Sequence, residues 1–401
     1  MQLLSIKQPQ EGTYFHRLAQ INGTPALVID CRVIRHQYLV LQSALPGVRL
    51  YYAIKALPHT EVVAALAELG AGFEIAGSGE LQLLRQARVK PRDTIHTHPI
   101  KRDNDIRQAL RFGCTTFVID NTEELLKFIP YKHRVGLILR LRFRSRDAVV
   151  DLSRKFGCPP QEAYQLIALA TRLGIHVKGL SFHVGSQCLC PDMHVQAINV
   201  CNRIIRQTHD LGAAPISLLD IGGGFPVAYD QDVPSIEAFS APIVQALNRL
   251  PRYVTLAAEP GRFLVAPAGT ALLSIIGKAW REGQIWYYLD DGIYGLFSGQ
   301  VFDHTRYPLE VFSESPKRYP SVLAGPTCDG TDVIAENLML PELEIGDFLV
   351  GRQMGAYTIA SATRFNSLPP AQVAVLDSRR KSHDACNATG IESGGSKPHA
   401  S

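Results

Sequence analysis

From residue 50 onward the chain alternates short apolar runs with stretches of helical spacing. The apolar runs cover 50–55, 72–76, 94–98, 115–120, 136–142, 178–185, 216–222 and 254–259, and they lead into polar residues or glycines. Runs of that length, continuously apolar and bounded this way, predict buried strands of a parallel sheet. Helical spacing fills the gaps at 61–69, 79–87, 105–112, 122–128, 160–173, 193–211 and 236–250. A further strand, 26–30, and a helix, 31–44, come first. Eight strands in strict alternation with helices predict an α/β fold, a (β/α)8 TIM-like barrel, in preference to an open doubly wound sheet.

After Arg262 the rhythm changes. Strands at 269–280, 284–289, 309–312 and 343–350 are separated by loops rich in Gly and Pro, with little helical periodicity. They predict a C-terminal β-rich domain, a barrel or sandwich, which the strand near Leu27 joins. The expected division is therefore 1–30 for the N-terminal strand, 31–265 for the barrel, 266–370 for the β-rich domain and 371–401 for a disordered tail, where Ser, Asn and Gly accumulate.

Composition narrows the function classes. The 401 residues are 46% apolar and 19% charged, which describes a soluble globular protein with ample core. The net charge of +4 is spread along the chain and leaves no footprint for nucleic acid or a membrane surface. No apolar run approaches a membrane span, and 1–12 lack the apolar core of a signal peptide. Eight scattered cysteines suit a reducing cytoplasmic setting better than a disulfide framework.

Active sites of such barrels lie at the C-terminal ends of the strands. In this chain those ends collect Lys55, Glu74, His98, Asp120, Arg140, His183, Gly222, Gly223, Gly224, Glu259 and Arg262. Lys55 follows Tyr-Tyr-Ala-Ile and has two readings. Either its ammonium snorkels to water, or burial lowers its pKa and makes it a nucleophile for a carbonyl. Three glycines after Asp220-Ile221 let backbone N–H groups approach an anion closely; a tight turn alone would need one. Glu259 and Arg262 supply a carboxylate for a ring nitrogen and a guanidinium for phosphate, with a structural ion pair as the alternative. His183 can stack on a flat ring, and Ser186 adds a hydroxyl. Cys188, Cys190 and His194 sit close to His183, but their spacing matches no common metal motif, and no metal is expected. An anion nest, an aromatic stack, an acid partner for a ring nitrogen and a Schiff-base lysine together call for pyridoxal 5′-phosphate.

The segments 51–55, 72–76, 181–186, 220–225, 259–262, 325–330 and 354–358 resemble those of the ornithine/diaminopimelate/arginine decarboxylase family of fold-type III pyridoxal enzymes, nearest its ornithine decarboxylase branch. The likeness runs from about 26 to 368. It implies that Lys55 carries the cofactor, with His183 on the ring and Glu259 at its nitrogen. Ser186, the three glycines, Arg262 and Tyr357 would hold the phosphate. Glu74 stands where the family often has aspartate, and Glu80 matches a family glutamate. Asp303 and Asp329 would bind the distal amine of the substrate, and Cys328 would protonate the product carbon. Phe302 replaces a tyrosine often found there. The resemblance also implies a homodimer in which the loop with Cys328 and Asp329 completes the partner's site.

The expected reaction is L-ornithine to putrescine and CO2. The alternatives are lysine as a second substrate, a modified diamino acid of a siderophore or antibiotic pathway, an amino-acid racemase, and an inactive regulator like the antizyme inhibitors. The Cys-Asp-Gly at 328–330 departs from the Cys-Glu-Ser of diaminopimelate enzymes and argues against that substrate.

Overall fold

Eight parallel strands close on themselves: Val48–Ala53, Gly72–Ile75, Thr94–His96, Thr116–Ile119, Gly136–Leu141, Val177–Phe182, Leu218–Asp220 and Thr255–Ala258. The last pairs with the first, Leu256 opposite Val48 and Ala258 opposite Leu50, so the sheet has no edge. This computed structural model describes residues 4–377, apart from 145–147, 151–152 and 211–213. Helices Thr60–Ala67, Ser78–Gln86, Asp103–Phe112, Thr122–Leu126, Ala163–Leu173, Asp192–Asp210 and Ile236–Leu247 follow the first seven strands in turn. Helix Cys31–Ala44 precedes the barrel with the bounds the sequence predicts.

Local chemistry accounts for the helix starts. Asp30 and Asn121 each accept a backbone N–H of the first turn, from Arg32 at 2.9 Å and from Glu124 at 2.9 Å. Leu, Ile, Val and Phe fill the layer between helices and barrel, with Tyr52, Phe73 and Phe117 buried.

One boundary matters for chemistry. The first strand ends at Ala53, whose N–H bonds to Pro260 O at 3.1 Å, and Lys55 lies in the 3-10 turn Ile54–Ala56 that follows. The expected strand 50–55 is thus shifted toward the N-terminus. The turn places Lys55 over the mouth of the barrel rather than on its wall.

The β-rich part contains Gly269–Arg281, Gln284–Leu289, Leu309–Phe312, Tyr319–Ala324, Val333–Leu340 and Phe348–Gly351. The expected strand 343–350 begins only at Phe348, because Glu344 and Asp347 form a turn, Asp347 N to Glu344 O at 3.0 Å. Two N-terminal strands join the sheet. Leu4–Lys7 pairs with Leu309–Phe312, and Ala26–Asp30 pairs with the start of Gly269–Arg281. Helix Pro9–Asn22, unforeseen in the sequence, connects them.

The expectation of a structureless tail from 371 needs correction. Gln372–Leu376 is a strand, parallel to Ala26–Asp30, because Ala374, Val375 and Leu376 pack their side chains against the core. The remainder of that expected tail, 378–401, lies outside the described residues. Asp377 then closes a clasp: Arg35 donates to both its carboxylate oxygens at 3.0 Å and to Glu68 at 3.1 Å. Arg35 is buried, so removing it takes a shielded, two-bond partner from the Asp377 carboxylate. Arg35→Met should lower stability by about 1.5–3 kcal/mol, the usual worth of hydrogen bonds to a charged group. Urea unfolding checks this, and a variant as stable as the parent would show that the clasp contributes nothing.

Candidate active site

A cavity of about 250 Å³ opens at the C-terminal ends of the barrel strands. Lys55, Glu74, His183, Ser186, Gly223, Gly224, Glu259, Arg262 and Tyr357 all line it, joined by Thr97, His98, Arg140 and Phe156. Nine sequence candidates from separate segments therefore meet in one place.

Lys55 Nζ donates to Glu74 Oε2 at 2.6 Å, and the Thr97 hydroxyl donates to the other oxygen of Glu74. Glu74 is 1% exposed, whereas the Lys55 side chain keeps 45% exposure toward the cavity. The expected lowering of the Lys55 pKa is not what the structure shows. Desolvation does pull it down, but Glu74, Tyr357 and Glu259 outweigh it and hold the ammonium well above its usual range. The nucleophilic form thus depends on neutralising or displacing the Glu74 carboxylate. Glu80, which accepts from Ala76 N at 2.5 Å, is pushed up to about 7 by burial and by Glu74.

The glycine turn forms the anion end. Gly222 and Gly224 have φ of +66° and +97°, and a Cβ on either would lie 2.2 Å from Phe182 O or 2.6 Å from Gly185 O. Opposite the turn, Arg262 donates to Tyr229 Oη at 3.1 Å, Ser186 Oγ at 3.2 Å and Asp303 Oδ2 at 2.5 Å. Its Nε is buried and has no partner among the described residues. The Tyr357 ring lies 4.8 Å from the guanidinium, and Tyr357 N bonds to Ala56 O at 2.9 Å. Glycine N–H groups, a hydroxyl and an incompletely satisfied guanidinium fit a phosphate.

The ring end fits as well. Burial, then Arg140 and Lys55, hold the His183 pKa far below its usual value, so its imidazole is neutral and suited to stacking. Glu259 is pushed well up by burial and by the Asp220 and Glu74 carboxylates. A desolvated carboxyl that keeps its proton can share it with a heterocyclic nitrogen.

Four candidates do not line the cavity. Gly222 belongs to the turn but not to the lining, and Asp303 meets the site through Arg262. Cys328 is exposed, with Cys328 N donating to Asn366 Oδ1 at 3.1 Å and Asn366 Nδ2 3.3 Å from its sulfur. Asp329 accepts from the Tyr294 hydroxyl and from Thr331 N, and these bonds hold its pKa low. Neither Cys328 nor Asp329 lines this chain's cavity.

Residues 31–266 match the family model described as the pyridoxal-dependent decarboxylase pyridoxal-binding domain. The chain belongs to the ornithine/arginine decarboxylase family. It is 50% identical to a lysine/ornithine decarboxylase of Vibrio vulnificus solved with cadaverine, with a TM-score of 0.88 over 92% of this chain and 97% of that one. It is 37% identical to the lysine/ornithine decarboxylase of Selenomonas ruminantium, over 87% of this chain and 88% of the relative. Antizyme inhibitor 2 of Xenopus laevis is 36% identical over 86% of this chain and 79% of its own length. As a member of this family the chain is a pyridoxal-phosphate-dependent amino-acid decarboxylase.

Within the family's cavity, sequence reasoning missed several contributors. Arg140 was visible as a strand-end cation, but nothing tied it to the site. Thr97 and Tyr229 gave no signal, because only the barrel's curvature brings them to Glu74 and Arg262. Among the described residues no group of three or more His, Cys, Asp or Glu could hold a metal, and no helix is long and apolar enough to cross a membrane.

The Lys55–Glu74 pair yields a pH prediction. A raised folded pKa stabilises the protein at pH values below the unfolded lysine pKa, and the benefit disappears as pH rises through the folded value. Glu74→Gln should therefore move the midpoint for acetylation of Lys55 in the cofactor-free chain to lower pH, because desolvation remains and the main attraction is lost. Competitive labelling read by mass spectrometry checks it. An unchanged midpoint would mean that Glu74 does not control this lysine.

Proposed function

We propose that the chain decarboxylates a basic amino acid with a terminal ammonium, L-ornithine to putrescine first and L-lysine to cadaverine second. The observation that carries the reading is the pair of carboxylates, Asp303 beside Arg262 and Asp329 kept ionised by Tyr294, which suit a distal ammonium rather than a second carboxylate. The names of the Vibrio and Selenomonas relatives support both substrates.

Pyridoxal 5′-phosphate, when bound, supplies an aldehyde for a lysine and a ring that accepts the electron pair released with CO2. Lys55 is the lysine that would hold it, and Gly222, Gly223, Gly224, Ser186, Arg262 and Tyr357 would hold its phosphate. His183 would cover the ring, and Glu259 would hold a proton at the ring nitrogen. Glu74 faces the lysine, with Thr97 fixing its direction. Cys328 would deliver a proton to the product carbon, and Asp303 and Asp329 would fix the distal amine. Retention of this whole set favours catalysis over a binding-only regulator.

Ornithine and lysine differ by one methylene, a difference worth about 1–3 kcal/mol, so kcat/KM should favour one over the other by only about 10- to 200-fold. CO2 release from a panel of L- and D-ornithine, lysine, arginine, diaminobutyrate and meso-diaminopimelate tests the proposal. Turnover of L-ornithine and L-lysine is expected. A preference for meso-diaminopimelate or arginine would overturn it.

The placement of Cys328 and Asp329 away from this chain's cavity supports a twofold dimer with shared sites. Mixing Lys55→Ala with Cys328→Ala subunits then places both defects in one site and leaves the other intact. Random exchange makes about half the dimers mixed, so roughly one quarter of wild-type activity should return, although each variant alone is nearly inactive. Activity that stays at the floor after demonstrated exchange would assign each site to one chain.

A further inference from the structure

All three carbonyls of the glycine turn accept hydrogen bonds. Gly222 O accepts from Glu259 N at 2.8 Å, and Gly224 O accepts from Cys188 N at 2.9 Å. The middle one, Gly223 O, is bonded by a side chain, His194 Nε2 at 3.1 Å. His194 sits in the first turn of helix Asp192–Asp210 and is fully buried. Its ring stacks on Phe225 at 5.7 Å and meets Phe239 edge-on at 5.8 Å.

A carbonyl only accepts, so Nε2 must carry the hydrogen. Burial holds the imidazole near a pKa of about 4, so near neutral pH it is uncharged and Nδ1 carries no hydrogen. That second nitrogen is buried with no partner among the described residues. A phenylalanine would fill the aromatic cage without this desolvation cost. Packing therefore does not explain the histidine, whereas its single hydrogen bond does.

We propose that His194 is a positioning residue of the phosphate-binding turn, fixing the Gly223–Gly224 peptide through the Gly223 carbonyl. Gly223 O and Gly224 N belong to one rigid plane, so a donor behind the carbonyl sets the direction of the N–H on the other side. The proposal rests on reading the turn as the phosphate site. It also explains why His194 lies close to Cys188 and Cys190 without forming a metal site: its imidazole faces a peptide.

The test compares full-length wild type with His194→Phe and His194→Met, which fill the cage without a donor, and His194→Gln, whose amide can take the Nε2 position. Each is stripped of cofactor and titrated with pyridoxal 5′-phosphate and with pyridoxal, which lacks the phosphate. Phe and Met should weaken pyridoxal 5′-phosphate about tenfold, the equivalent of one hydrogen bond, and leave pyridoxal within about twofold. Gln should restore most of the difference. Equal weakening of both ligands, or no weakening in whichever of the Phe and Met variants folds, would overturn the proposal. If wild type itself binds the two ligands alike, the reading of the turn as a phosphate site fails first, and the role of His194 fails with it.

Discussion

Closure of the barrel between Val48–Ala53 and Thr255–Ala258 is the constraint on which the site depends. The two strands come from opposite ends of the barrel sequence, and only their pairing sets Lys55 beside Glu259 and Arg262. The hydrogen bond from Ala53 N to Pro260 O extends that seam beyond the strands and fixes where the first strand stops. The turn bearing Lys55 and the helix that begins at Arg262 are therefore tied together at this seam. A shift there would separate the lysine from the anion end without disturbing either locally.

Around that seam charge is balanced rather than abolished. Glu74 and Asp220 are buried and Glu259 is half-buried, all three at strand ends of the barrel that also carry Lys55, Arg140 and Arg262. Burial alone would push the acids up and the bases down. Pairing reverses this for Glu74 and Lys55, which are held ionised together, while Glu259, crowded by two other acids, is driven toward its protonated form. One group of like residues thus provides a counter-ion and a proton holder, separated by position.

The barrel was legible because each strand carries its own apolar run and each helix its own period. The boundaries were not, since neighbours set them, as Pro260 does for Ala53. The β-rich part was harder to read. Val333–Leu340 is interrupted by exposed Glu336 and by Asn337 at φ +56°, and Tyr319–Ala324 contains a proline. Gln372–Leu376 looked like the start of a polar tail because its partner strand lies at the other end of the chain. Lys55, the glycines, Glu259 and Arg262 were legible as chemistry because strand ends concentrate it. The electrostatic state of Lys55 was not, because the charge that decides it belongs to the next strand. His194 was visible only as a neighbour of cysteines, and its hydrogen-bond partner is a backbone atom that no motif records.

The central claim is that Lys55 carries the cofactor. Lys101 is the instructive rival: burial lowers its pKa to about 8, and it lies behind the cavity-lining His98 and Pro99. Its ammonium, however, is spent on three carbonyls, His98 O at 2.9 Å, Pro99 O at 2.8 Å and Val118 O at 2.7 Å. Borohydride reduction of the holoenzyme, proteolysis and mass spectrometry of the pyridoxyl-labelled peptide distinguish the two. The account predicts a single label on Lys55, and a label on Lys101 or any other lysine would contradict it.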